Sequence, residues 1–333
     1  MFVPLSIPSP SVDWQYFDLT SWINSTFGAE LPGSLRIHAY AICILVGIVA
    51  AVLITNKRLV DRGAERWVVI DVAIFAVPLG IVGGRLFHVV THPADYFSSV
   101  DQWVRVLYVW EGGLAIYGAL LFGAVGVWLG CRATGLRFSV FADALAPGLL
   151  VAQAFGRLGN WFNHELFGLP TALPWGLEIE STNPAYPVGL PEGTLFHPTF
   201  LYEIVWMLAG VAVLLLIERR REMQWGRALA FYLVWYGIGR SVFESIRTDP
   251  SLLFFGIRTN VWASFAAIVL GLVIWFVVSR RHAGLLPGPY VPGRAPSDGD
   301  AGVDSRDTYT EDDEPELVAV ASSDHNTETT PRP

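Results

Sequence analysis

Cysteine, lysine and methionine are all but missing from this chain: 333 residues contain two Cys (Cys43 and Cys131), three Met and a single Lys, Lys57. Two cysteines exclude a disulfide framework and a Cys-based zinc site. Charge is scarce as well, at 16% Asp, Glu, Lys and Arg, where a soluble domain carries about 25%. So few charges cannot coat a water-facing surface. No basic stripe is present, which excludes nucleic acid as a partner. Familiar catalytic motifs are missing too. There is no Gly-x-Ser-x-Gly elbow and no Walker A loop, and Gly237-Ile238-Gly239-Arg240 has no strand before it. His164-Glu165 continues as Leu166-Phe167-Gly168 and never reaches the second His of a zinc protease. The opening Met-Phe-Val-Pro-Leu-Ser-Ile-Pro lacks a basic stretch followed by an apolar one, so no cleavable signal peptide is expected.

Apolar residues take the vacated share: 53% of the chain is hydrophobic and 13% aromatic. A helical crossing of a bilayer needs about 20 mostly apolar residues. Seven runs come near that length, at roughly 38–55, 67–90, 112–130, 139–156, 199–217, 228–246 and 260–279. The pattern predicts an all-α polytopic membrane protein with seven transmembrane helices. Lys and Arg in short loops mark the cytoplasmic side. Lys57, Arg58, Arg62, Arg66, Arg132, Arg137, Arg219, Arg220, Arg221, Arg227, Arg280 and Arg281 all fall on one side of seven spans. The N-terminus is therefore expected outside and the C-terminus in the cytoplasm.

Three regions follow. Residues 1–37 form an extracytoplasmic segment in which Trp14, Tyr16, Phe17, Trp22 and Ile23 suit an interfacial helix. Residues 38–285 hold the spans and an outer loop, 157–198. That loop carries Trp161, Phe162, Leu166, Phe167, Leu173 and Trp175, and is expected to lie on or dip into the outer leaflet. Residues 286–333 read as a disordered cytoplasmic tail. Within it, 288–333 hold 3 Arg against 11 Asp and Glu, which supplies the net charge of -8.

An ionisable group near the bilayer centre costs at least about 2.5–3.5 kcal/mol, so the charges in and beside the spans are the informative ones. Arg240, Glu244 and Arg247 share one helix face. Arg157 stands where the fourth span ends, and Arg85 follows Gly83-Gly84 in the second. His38 and Tyr40 open the first span, Glu111 and Tyr117 flank the start of the third, and His197, Tyr202 and Glu203 enter the fifth. Six spans thus send polar groups to the outer half of the membrane. Several arginines in one pocket suit an anionic ligand with paired oxygens, which guanidinium grips bidentately. In that leaflet the candidate is a phospholipid phosphate. Plainer roles stay open for some of these residues: Arg247 beside Glu244 as an interfacial ion pair, Tyr40 as a belt aromatic, His38 and His197 as polar glue. Asp143 reads as a cap of its own helix. Gly156, Gly159 and Gly168 read as points of close approach or positive φ.

The stretch Gly156-Arg157-Leu158-Gly159-Asn160-Trp161-Phe162-Asn163-His164-Glu165-Leu166-Phe167-Gly168 resembles the signature of the bacterial prolipoprotein diacylglyceryl transferases. The resemblance extends along 36–280, through His38-Ala39-Tyr40, Gly83-Gly84-Arg85, Trp110-Glu111-Gly112-Gly113, His197-Pro198 with Tyr202-Glu203, and Tyr236-Gly237 with Arg240, Glu244 and Arg247. One departure is Tyr117-Gly118-Ala119, where some members of the family have His-Gly-Gly.

The resemblance implies transfer of diacylglyceryl from phosphatidylglycerol to the thiol of a lipobox cysteine in a prolipoprotein signal peptide, at the outer leaflet of the bacterial plasma membrane. A thioether forms and glycerol phosphate leaves, with no metal or dissociable cofactor. In that setting Arg157 and Arg240 would stabilise the leaving phosphate. Glu165 would position the arginines or headgroup, or take the thiol proton, and Tyr117 would be a poorer base at neutral pH. Asn160 and Asn163 would hold headgroup hydroxyls, and Glu244 would fix Arg240 and Arg247. His38, Tyr40, Arg85, Gly168, His197, Glu203 and Tyr236 would complete the substrate shell. The alternative is a multi-pass transporter or binding protein for an anionic lipid or solute. An internal repeat would favour it, and none is seen.

Overall fold

A computed structural model describes residues 6–98, 100–109, 112–282 and 284–295. After a short helix α1 (Leu19–Phe27), the apolar runs become α2 (Ala39–Val60) and α3 (Val68–Thr91). A single turn, α4 (Ala94–Phe97), precedes α5 (Ile116–Thr134) and α6 (Phe138–Phe162). The series ends with α7 (Thr199–Glu218), α8 (Arg227–Ser245) and α9 (Thr259–Arg281). Six of these, α2, α3, α5, α6, α7 and α9, are long and apolar enough to cross a bilayer. The chain is a mostly helical, multi-pass membrane protein. α8 is long enough, but Arg240 and Glu244 keep it more polar than the others.

Helix α6 is the central element, packed against α2, α7 and α8, while α3 pairs with α5 and α8 with α9. Lipid offers no hydrophobic drive between helices, so small residues that let backbones approach decide these contacts. A methyl added to Gly126 of α5 would sit 2.6 Å from the Ala76 Cα of α3.

Two of the helix ends that differ from the sequence reading bear on the site. The third long helix starts at Ile116, not near 112, because Gly112 and Gly113 turn the chain at φ 89° and 67°, where a Cβ is disfavoured. The fourth runs on to Phe162, since nothing between Arg157 and Phe162 breaks a helix. Arg157 and Asn160 therefore ride on rigid backbone. Trp110 and Glu111 lie outside the described residues.

The ends of the bundle carry compact extras. Before α2, strands β1 (Tyr16–Asp18) and β2 (Arg36–His38) pair antiparallel, flanking α1. Asp18 caps α1 by accepting from the Ser21 N–H at 3.1 Å, and Gly28 closes it at φ 64°. The loop after α6 folds on itself. Strands β3 (Leu177–Glu178) and β4 (Leu195–Phe196) form a hairpin, and Phe167, Leu177, Ile179, Phe196 and Phe200 bury one another in a core of their own. Phe167 is buried in that core and Trp161 packs against it, whereas Trp175 stays exposed. A third hairpin, β5 (Leu253–Phe254) with β6 (Ile257–Arg258), joins α8 to α9.

At the opposite end, Asp143 does not cap its own helix. It is buried, and its carboxylate accepts from the Gly226 N–H at 2.7 Å and the Leu229 N–H at 3.0 Å. Those are first-turn donors of α8, whose cap position is Gly226 and has no side chain to offer. One carboxylate thus holds α8 against α6. Asp143→Ala would strand two buried donors, so we expect a loss of about 1–3 kcal/mol. Thermal unfolding in detergent should show a lower midpoint, with Asp143→Asn falling between the two. The first residues of the segment read as tail are also tied down here. Arg137 N–H donates to Pro289 O at 2.8 Å, Tyr290 hydroxyl accepts from Glu65 N–H at 2.9 Å, and Leu286 and Tyr290 pack on the α2–α3–α6 core. Apolar side chains at 286 and 290 repay the ordering of that strap. Residues 1–5 and 296–333, with most of the acidic tail, lie outside the described residues.

Candidate functional site

The site grows from the end of α6. Arg157 and Asn160 are one turn apart, and Arg157 Nη1 donates to Asn160 Oδ1 at 3.0 Å. The chain then turns sharply, with His164 and Leu166 in the left-handed region at φ 53° and 60°. Side chains with a Cβ adopt that region at a cost of order 1–3 kcal/mol each, and here the surroundings hold them. Asn183 Nδ2 donates to His164 O at 3.0 Å, and Thr199 hydroxyl donates to Leu166 O. His164 is buried and bonded to Glu180 at 2.8 Å. Burial opposes ionisation of Glu180, but hydrogen bonding from His164 prevails and holds its carboxyl below the usual range.

The strained turn delivers Glu165 to two amides. Asn160 Nδ2 donates to its Oε1 at 2.8 Å and Asn163 Nδ2 at 3.3 Å. Glu165 therefore meets Arg157 through Asn160 and not directly. The next residues are fixed to α8: Leu169 N–H donates to Ile246 O at 2.8 Å, and Gly168 bridges Arg247. Gly168 permits this approach, since a Cβ there would lie 2.8 Å from His197 Cβ. Gly159 does the same for Tyr40, whose ring would be 2.6 Å from a Cβ at 159. Gly156 meets only an ordinary contact, 3.5 Å to Ile44, so its expected constraint is not seen.

Beside this turn lies a chain of alternating charges. Glu203 of α7 is 2% exposed and pairs with Arg157 Nε at 2.7 Å, with Arg240 Nη1 3.9 Å away on its other side. Glu244, one turn after Arg240 on α8, pairs with Arg240 Nη2 at 2.9 Å and Arg247 Nη1 at 3.4 Å. Two further ionic groups extend the chain. Arg258 Nε lies 3.2 Å from Glu244 Oε1, and Asp249 binds Arg247 Nε at 2.6 Å and Arg258 Nη2 at 3.2 Å. Four arginines face three carboxylates, which leaves the chain with an excess positive charge. Arg240 Nη1 and Arg247 Nη1 are buried and make no hydrogen bond among the described residues, their carboxylate neighbours Glu203 Oε2 and Glu244 Oε2 lying 3.9 Å and 3.4 Å away. Buried donors of that kind are the place for an incoming anionic oxygen.

Most of the sequence-derived set therefore converges: Arg157, Asn160, Asn163, Glu165, Glu203, Arg240, Glu244 and Arg247. Tyr117 joins through Asn260, to which its hydroxyl donates at 2.9 Å. Tyr236 sits one turn before Arg240, stacked over Tyr232 with ring centroids 6.0 Å apart. Others stand apart from the network. Arg85 is buried, but Nε, Nη1 and Nη2 donate to the main-chain carbonyls of Val106, Gly112, Gly113 and Arg105. That guanidinium is committed to ordering the connection between α3 and α5, where three nitrogens find neutral acceptors in place of a phosphate. His38 is exposed on β2 opposite Tyr16. His197 Nδ1 lies 3.2 Å from the Tyr202 hydroxyl, itself an acceptor from Trp175 Nε1 at 3.0 Å. Arg258, Asp249 and Asn260 were missed by sequence reading. The only signal was that Asp249 and Arg258 lie in the short connection after α8 and Asn260 opens α9.

Chemically, this arrangement can take an anion with several oxygens into a low-dielectric site and stabilise charge that develops on it. A family model described as prolipoprotein diacylglyceryl transferase matches residues 28–277. The phosphatidylglycerol–prolipoprotein diacylglyceryl transferase of Leifsonia xyli subsp. xyli is 56% identical over 335 residues, covering 98% of this chain and 96% of its own length. A second transferase of that name from Streptomyces coelicolor is 46% identical over 298 residues, covering 86% of this chain and 93% of its own length. The one from Bifidobacterium adolescentis is 43% identical over 260 residues, covering 74% and 77%.

Proposed function

The chain belongs to the prolipoprotein diacylglyceryl transferase family, and on that premise we propose that it moves diacylglyceryl from phosphatidylglycerol to the thiol of a lipobox cysteine in a prolipoprotein signal peptide. The thiolate attacks the glyceryl carbon bound to phosphate, a C–S bond forms, the C–O bond breaks, and glycerol phosphate departs with the electron pair. A phosphodiester monoanion becomes a monoester, so negative charge grows on the leaving oxygens. The observation that carries the reading is the Arg157–Glu203–Arg240 arrangement, in which Arg240 Nη1 makes no hydrogen bond among the described residues. Arg157 and Arg240 clamp the phosphate, and Glu203 and Glu244 aim them. A free thiol has a pKa of about 8.5. The nearby guanidinium groups favour thiolate, and Glu165 is the acceptor for its proton. Asn160 and Asn163 hold both Glu165 and the headgroup. Tyr40, Tyr236, His38, His197 and Gly168 shape the surrounding wall.

Seven crossings with the N-terminus outside follow if α8 counts as a span. Its 19 residues reach about 28 Å, and its charges lie toward α7 and α9 rather than lipid. The basic residues between α2 and α3, α5 and α6, and α7 and α8 then face the cytoplasm, which puts the arginine cluster toward the outer leaflet.

Purified protein in detergent, given phosphatidylglycerol and a lipobox peptide, should add a diacylglyceryl mass to the peptide and release glycerol phosphate. A peptide with Cys→Ser should stay unmodified. Lipid binding without any peptide adduct would refute the transferase reading. Within this assay, Glu165→Gln should lose at least the factor of about 10² that a general base contributes, and Tyr117→Phe less. Measured across pH with phosphatidylglycerol saturating, a larger loss for the tyrosine change would move the base assignment to residue 117.

A further inference from the structure

Glu244 is fully buried, and a buried carboxylate needs donors on both oxygens. Oε2 has the ion pairs to Arg240 at 2.9 Å and Arg247 at 3.4 Å, without a hydrogen bond among the described residues. Oε1 has Arg258 Nε at 3.2 Å and Asn260 Nδ2 at 2.9 Å. Asn260 is the second residue of α9, and Arg258 precedes that helix in the β5–β6 hairpin. A carboxylate only accepts, so the Asn260 amide must turn its NH₂ toward Glu244. Its carbonyl then points the other way, onto the Tyr117 hydroxyl of α5 at 2.9 Å. An amide oxygen carries no proton, so Tyr117 must donate. One amide thereby sets the orientation of two groups from different helices.

We propose that Asn260 is a positioning residue for the transfer reaction, acting by fixing Glu244 and, through it, the Arg240 guanidinium. Tyr117 is the outer end of the same line: its proton is committed to Asn260, which is why a tyrosine serves at this position without being the base. The inference rests on the transferase reading above.

The test is steady-state kinetics of the full chain in detergent with phosphatidylglycerol and a lipobox peptide, from about pH 5.5 to 8.5. Asn260→Ala removes the donor to Glu244, and kcat should fall roughly 10- to 50-fold, below the 10²–10³ expected from losing a direct donor to the oxyanion. KM for phosphatidylglycerol should change less than about threefold, because the loss is felt as charge develops on the phosphate. Tyr117→Phe should cost roughly fivefold, and the double variant should be no slower than Asn260→Ala, because both act along one line.

Asn260→Asp gives the sharper readout. The introduced carboxyl has the shape of the amide and, when protonated, supplies an O–H to Glu244. When ionised it sets two carboxylates against each other and can no longer donate to Glu244. Arg258 from the hairpin, Arg240 from α8 and Arg247 just after α8 pull the other way, and Tyr117 still donates. The protonated form is the working one, so the ratio of wild-type to Asn260→Asp kcat should widen as pH rises. A constant ratio, a double variant with multiplied losses, or full activity in Asn260→Ala each overturns the positioning role. Should Asn260→Ala not fold, the isosteric Asn260→Asp series decides by itself. A wild-type chain that leaves the peptide unmodified overturns the transferase reading, and this inference with it.

Discussion

Arg240→Ala and Arg157→Ala are each expected to lower kcat/KM for diacylglyceryl transfer by a factor of 10²–10³ or more, with protein level and membrane insertion unchanged. Removing one donor from a site that stabilises developing negative charge costs about that much. Both residues meet at Glu203, and Arg240 turns one nitrogen to Glu244 at 2.9 Å while its other terminal nitrogen makes no hydrogen bond among the described residues. A lysine can occupy one of those directions but not both, since an ammonium lacks the planar fork. Arg240→Lys should therefore recover little, and Arg157→Lys scarcely more, because Arg157 must reach Glu203 at 2.7 Å and Asn160 at 3.0 Å together. Peptide adducts quantified by mass spectrometry at matched protein level provide the check. Turnover near wild type in either alanine variant would remove the phosphate clamp from the mechanism.

The second large effect is on stability. Glu244→Gln should destabilise the protein by about 3–5 kcal/mol, the usual consequence of removing one partner from a buried ionic group. Glu244 is the shared anion of Arg240, Arg247 and Arg258, and without it three largely buried guanidinium groups are left with only Glu203 and Asp249 as counter-ions. The thermal midpoint in detergent should fall by more than about 5 °C. Neutralising one of the stranded cations should help, so Arg258→Leu placed on Glu244→Gln should regain part of the loss. A midpoint unchanged by Glu244→Gln, or a double variant less stable than the single, would show that the charges are relaxed elsewhere. Stability and activity separate here: Glu244→Gln should be defective in both, whereas the arginine-to-alanine variants lose activity chiefly.

Helix number and placement were legible because their signal is one-dimensional. A run of apolar residues of bilayer length needs no partner to be recognised, and six of the seven runs are helices of that kind. The seventh, α8, shows the limit of the signal, for the charges that lower its apolarity are those that build the site. Helix ends were read less well. Gly112 and Gly113 delay α5, and α6 continues past Arg157, since a boundary depends on single residues and their neighbours rather than on an average over twenty.

By itself the sequence determined the membrane-spanning class and the family through the 156–168 signature, and it singled out Arg157, Glu165, Arg240 and Glu244 as candidate site charges. Spacing along one helix even paired Glu244 with Arg240, because neighbours at i and i+4 share a face whatever surrounds them. Tertiary structure alone decided the rest. It brought Glu203 of α7 between arginines of α6 and α8, turned Asp143 into the cap of a different helix, and committed Arg85 to main-chain carbonyls instead of a ligand. It also supplied Arg258 and Asn260, which look unremarkable in a loop and a helix start until α9 packs against α8. The physical reason is common to all four. A buried charge or amide must find a partner, but which partner depends on which helices touch, and contacts between segments far apart in the chain leave no periodicity in the sequence to read.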